Sequence, residues 1–175
     1  MSTDDIHSPA TESGPSALVS LVYLFAFMAI VFVAAAAGGA VTATDAGVWY
    51  ASLVKPALTP APWVFPIVWN SLYFLMAISA WLVWRAAGNF DRAGPALCLF
   101  GIQLLLNLSW SIVFFGLQSP ILGLINILAL DLAVAGTIFA FLKTSRLAGT
   151  LLVPYLGWAL FATYLTAGVV VLNVS

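Results

Sequence analysis

Trp69 and Tyr73 stand four residues apart, with Asn70 one residue round from Trp69. Positions i and i+4 share a helix face, so both rings project the same way. Gln103, Asn107, Trp110 and Ser111 make a second polar and aromatic stripe among Leu, Ile, Val and Phe. Tyr155, Trp158 and Ala162 make a third, at i, i+3 and i+7. Rings stack on flat apolar molecules, and buried amides orient them by hydrogen bonding. If the three stripes converge, the chemistry on offer is capture of a flat, largely apolar ligand. The competing reading places such rings in belts at a membrane interface, and Trp81 and Trp84 beside Arg85 suit that belt.

Other chemistries find little support. His7 is the only histidine and Cys98 the only cysteine, so a catalytic metal, a haem iron ligand within the apolar part and an internal disulfide are not expected. The sequence holds no GxxxxGK[ST], GxSxG, HExxH or CxxC motif. Asp131 is the one ionisable residue well inside an apolar run. A carboxylate at that depth is costly unless partnered. It reads as a ligand or proton contact, or as an inter-helix hydrogen bond to Asn126, a serine or a backbone group.

The elements that must position these residues follow from composition. The chain of 175 residues is 63% hydrophobic and 6% charged, whereas soluble domains carry about 25% charged residues. Lipid is therefore the expected solvent for most of the surface. The net charge of −1 gives no case for nucleic acid. Residues 1–17 read as a disordered polar tail without the basic start of a signal peptide. Five apolar runs follow, at 18–41, 63–84, 95–117, 121–142 and 151–172, each long enough to span a bilayer as a helix. The expected fold is an all-α, five-transmembrane-helix bundle occupying 18–175. Gln118-Ser119-Pro120 allows only a tight hairpin, so helices three and four should be antiparallel neighbours.

Between the first two runs, Trp49–Trp69 crowds Pro56, Pro60, Pro62 and Pro66 with Lys55 and several rings. Proline resists helix continuation, so this is a stiff irregular loop suited to covering something. Arg85, Arg92, Lys143 and Arg146 fall on one side and Lys55 on the other, which predicts a cytoplasmic N-terminus. The small-residue cluster Ala34–Ala40 permits close helix approach, for internal packing or for a dimer face.

With those residues in view, the chain resembles the TspO/translocator protein family, the peripheral benzodiazepine receptor-like proteins. The resemblance rests on Trp49-Tyr50, Lys55-Pro56, WVFPIVWNSLYFLM at 63–76, Asn107, PYLGWALFATYL at 154–165 and Leu172-Asn173. It covers nearly all of the chain after the tail. It implies a five-helix bundle, usually a homodimer, in a bacterial cell membrane. The pocket would lie under the loop between helices one and two and take porphyrins or other hydrophobic ligands, with no cofactor. It implies Tyr50, Trp69, Tyr73, Asn107, Trp110, Leu132, Ala135, Trp158 and Ala162 as the ligand-binding wall, with Trp49, Lys55, Pro56, Leu58 and Trp63 in the lid loop. Leu58 stands where the family has a ring that covers the ligand, and Ala61 where it has a proline. No basic residue follows Tyr164, so the family's sterol-recognition pattern is not supported.

Three functions follow from the resemblance: a tetrapyrrole-binding receptor for sensing or transport, a light-dependent porphyrin-degrading enzyme using Trp69 and Trp158 as catalytic residues, and a membrane scaffold defined by its partners.

Overall fold

The computed structural model describes residues 16–45 and 47–173, excluding the side chain of Asp45. His7 and residues 1–15 of the expected tail lie outside that range. Among the described residues there are α-helices and no strand: α1 (Ala17–Asp45), α2 (Gly47–Ser52), α3 (Val64–Ala87), α4 (Phe90–Ser111), α5 (Pro120–Thr144), α6 (Arg146–Leu151) and α7 (Val153–Asn173). A π-helical turn, Ile112–Gly116, extends α4. Five segments are long and apolar enough to cross a membrane: α1, α3, α4 with its π turn, α5, and α6 with α7. The protein is an all-α integral membrane bundle.

The connections at one end are shorter than the apolar runs imply, because polar side chains cap the helices inside the sequence assigned to loops. α3 stops at Gly88, whose φ of 82° is the left-handed conformation that suits a helix end. Asn89 then accepts a hydrogen bond from the Arg92 N–H at 2.9 Å, so α4 starts at Phe90 rather than at Pro95. Pro95 is tolerated early in α4, where its missing donor frees only a carbonyl close to the helix end. Ser145 likewise caps α6. Arg85, Arg92, Lys143 and Arg146 therefore sit in terminal helical turns rather than in loops. Pro154 lies just after the break between α6 and α7, consistent with its resistance to helix continuation. At the opposite end Gln118 adopts a φ of 50°, and Ser119 caps α5 ahead of Pro120 at its first position. That hairpin makes α4 and α5 close antiparallel neighbours.

α5 packs against α4 and α7, while α1 lies across α3 and α4. A few polar ties cross the bundle. Ser79 donates to the Ala148 carbonyl at 2.6 Å and the Trp81 indole to the Ser20 carbonyl at 2.9 Å. Thr163 donates to Asp131 Oδ2 at 2.7 Å, joining α7 to α5. Asn126 instead bonds Ser109 at 2.6 Å. Asp131 is thus an inter-helix contact, with threonine as its partner. Trp84 departs from the interface belt: it is 4% exposed and packs on Tyr23 and Phe90 in the core.

Gly149 brings α6 against α5. A Cβ there would lie 2.5 Å from Leu142 Cγ and 3.0 Å from its backbone nitrogen. Gly149→Ala should therefore destabilise the bundle by about 1–3 kcal/mol, the usual cost of overpacking. A lower melting temperature in detergent is expected, and an unchanged one would show that this contact yields freely.

Candidate ligand-binding site

α1, α3, α4 and α7 enclose a cavity of about 870 Å³ roofed by α2 and the loop that follows it. Each wall has its own origin. α1 supplies mostly small residues, with Ala35, Ala36, Gly38 and Gly39 lining the cavity beside Phe32 and Thr42. At Gly38 a Cβ would come within 3.2 Å of Ser111 Oγ, so glycine seats α1 on α4, while Gly39 opens onto free space. Within the small-residue cluster, Gly38 packs inside the bundle, while Ala36, Ala37, Gly39 and Ala40 are exposed.

α3 supplies rings at helical spacing: Phe65, Trp69 and Tyr73. Trp69 stacks on Tyr73 at 5.5 Å, and Phe65 meets Trp158 of α7 edge-on at 5.9 Å. Ala162 and Thr166 continue the α7 wall above Trp158. On α4, Trp110 stacks on Phe114 at 5.0 Å. The Leu117 N–H reaches the Ile112 carbonyl at 2.8 Å, five residues back, which is the π turn's signature. Phe114 and Phe115 both line the cavity although they are adjacent in sequence. Gly123 of α5 makes room for Phe114, whose ring would lie 2.8 Å from a Cβ there.

A hydrogen-bonded chain closes the deep end. The Tyr73 hydroxyl donates to Asn107 Oδ1 at 2.8 Å, and Asn107 Nδ2 donates to the Tyr155 hydroxyl at 3.2 Å. One amide thus ties α3, α4 and α7 together. Tyr155 is buried behind the cavity and meets Trp69 edge-on at 6.2 Å. The indole N–H groups of Trp110 and Trp158 are buried without a protein partner.

The mouth is different in character. Lys55 is the one charged side chain lining the cavity among the described residues. Its ammonium lies 4.8 Å from the centre of the Tyr50 ring and donates to the Leu53 carbonyl at 3.1 Å. Burial raises the Tyr50 phenol above its usual range, so that ring stays neutral beside Lys55.

Of the anticipated wall, Tyr50, Trp69, Tyr73, Asn107, Trp110, Trp158 and Ala162 come together at this cavity. Leu132 and Ala135 do not. They are exposed on the outer side of α5, Leu132 by 76%, because α5 contributes nothing to the lining and turns Leu130, Asp131 and Val134 inward. Leu58 and Trp63 also lie outside the lining, 66% and 67% exposed. Trp49 packs on Phe114 at 5.6 Å outside the lining, and Pro56 seats on Gly168 of α7. Phe65 was findable, being four residues before Trp69. Phe114 and Phe115 were not, since nothing in the sequence shows the π turn that carries them.

The family profile described as TspO/MBR family matches residues 26–172. A "Tryptophan-rich protein TspO" of Archaeoglobus fulgidus is 41% identical over 155 residues, 89% of this chain and 99% of the relative. A "Tryptophan-rich sensory protein" of Cereibacter sphaeroides is 42% identical over 125 residues, covering 71% and 77%. The human "Translocator protein" is 41% identical over 118 residues, covering 67% and 70%.

The Asn107 network makes a stability prediction. Tyr73→Phe leaves Asn107 Oδ1 without its donor and should cost about 1–3 kcal/mol, with Asn107→Leu costing more because it frees two tyrosines. Thermal melting in detergent measures both. Wild-type melting in Tyr73→Phe would show that the bond contributes nothing.

Proposed function

The chain belongs to the TspO/MBR family, and from that premise we propose that its cavity binds porphyrin-type tetrapyrroles for sensing or carriage across the membrane. The observation that carries this reading is the cavity itself. About 870 Å³ of space is faced by tryptophan, tyrosine and phenylalanine rings, with a single cation at the mouth. Ligand pockets run to about 300–1,000 Å³, so the space is at the large end, as a macrocycle needs. The flat face of the ligand lies against Trp69 and Trp158. Its carboxylate edge turns toward Lys55, where water and an opposite charge reduce the cost of holding an anion near lipid. The names of the relatives, sensory and translocator, support a ligand-responsive or ligand-moving role.

Titration of protoporphyrin IX into the purified protein should quench tryptophan fluorescence. Stacking on one ring is worth about 1–3 kcal/mol, a scale borrowed from nucleic-acid bases. Trp69→Ala and Trp158→Ala should each weaken binding roughly tenfold by that measure. The dimethyl ester should bind more weakly than the free diacid, and Lys55→Gln should remove that preference. Unchanged affinity in the double tryptophan substitution would place the pocket elsewhere.

A second reading, photo-oxidation of the bound porphyrin, draws on Trp69 and Trp158 facing the same space. Illuminating the complex in air and following new absorbing products separates it from binding alone.

Orientation belongs to the same proposal. Arg85, Arg92, Lys143 and Arg146 share one end of the bundle and Lys55 the other, so we place the four-charge end, and with it the start of α1, in the cytoplasm. In a Cys98→Ala background, Ser52→Cys should react with impermeant maleimide added outside intact cells. Asn89→Cys should react only after lysis. The reverse pattern would invert the topology.

A further inference from the structure

The loop over the cavity is fastened from one side by a single residue. Asn173, at the end of α7, accepts from the Val54 N–H at 2.8 Å and donates through Nδ2 to the Val54 carbonyl at 2.9 Å. Its second amide hydrogen goes to the Val169 carbonyl at 2.9 Å, inside its own helix. The carboxamide therefore pairs with both backbone groups of one loop residue, as a neighbouring strand would, while its helix holds it rigid. Two residues on, Pro56 sits against Gly168, where no Cβ could fit. The other end of the loop is continuous with α3, through the Val64 N–H to Ala61 carbonyl bond at 2.9 Å. Between these points Lys55, Thr59, Pro60 and Pro62 face the cavity.

We propose that Asn173 is the latch of this lid: opening the cavity breaks the two Asn173–Val54 hydrogen bonds and lifts Pro56 off Gly168, with the loop rising between its ends at α2 and α3. The loop is covalently continuous with α2 at one end and α3 at the other, whereas its hold on α7 is two exposed hydrogen bonds and one small contact. The weakest attachment sets where the loop parts. Asn173 is a positioning residue here and touches no ligand.

The test needs no ligand, so it stands or falls separately from the tetrapyrrole reading. Thr166 lines the cavity beneath the lid and is 2% exposed. Thr166→Cys in a Cys98→Ala background should react slowly with a water-soluble maleimide in detergent. Adding Asn173→Ala should speed labelling at least tenfold. Asn173→Asp keeps the acceptor for the Val54 N–H but loses both donors, and should fall between. Ala159→Cys, buried in helix packing outside the lining, should stay slow with or without Asn173→Ala. Equal rates at Thr166→Cys with and without the latch substitution would overturn the proposal. So would a parallel rise at Ala159→Cys, which would mean that Asn173 stabilises the whole bundle rather than the lid.

Discussion

A backbone amide in hydrocarbon has no water to turn to, and this one constraint shapes the molecule. The spanning segments stay helical and the irregular backbone collects at their ends: the loop before α3, the hairpin at Gln118, and the short joins at Gly88 and Ser145. The cavity cannot then be made by unwinding a helix. It is made by side-chain size. α1 withholds volume with alanine and glycine, and Phe32 of α1 with α3, α4 and α7 returns part of it as rings. The π turn departs from regular helix inside a span, and it keeps its hydrogen bonds by reaching one residue further.

The same constraint gives the few interior polar side chains their weight. With hydrocarbon outside and inside, apolar packing alone sets helix register weakly. Asn107 between Tyr73 and Tyr155, Asp131 with Thr163, and Ser109 with Asn126 are directional contacts between different spans. The Asn107 contact lies at the cavity wall, so the residues that fix the packing of α3, α4 and α7 also fix where Trp69 and Trp158 stand.

How much of this was legible depends on what each wall is made of. The stripes on α3, α4 and α7 could be read because Asn, Gln and Tyr gain nothing from facing lipid, and their spacing gives the face directly. α1 could not be read the same way. Its contribution is missing side chains, which look alike whether they admit a neighbouring helix, a second subunit or a ligand. The five spans were visible as runs of hydropathy, but the starts of the third and fifth were not, since Asn89 and Ser145 cap helices within stretches that look like loop. Leu132, Ala135, Leu58 and Trp63 came from resemblance alone. Nothing in their local spacing could show that α5 stands behind the other walls, or that Leu58 and Trp63 fall outside the lining while Thr59, Pro60 and Pro62 fall within it.

The π turn at Ile112–Gly116 has a consequence for chain length. It holds one more residue per turn than regular helix, so it is equivalent to a one-residue insertion. Deleting any one residue there would let the span close as ordinary α-helix. Everything beyond would then rotate by about 100°. Phe115 would leave the cavity side, and the Ser119 cap and Pro120 would no longer deliver Gly123 to Phe114. The number of residues from Trp110 to Pro120 is therefore a constraint independent of their identity. In an alignment, a gap placed in that interval marks a protein whose cavity has a different α4 wall, however well its tryptophans match.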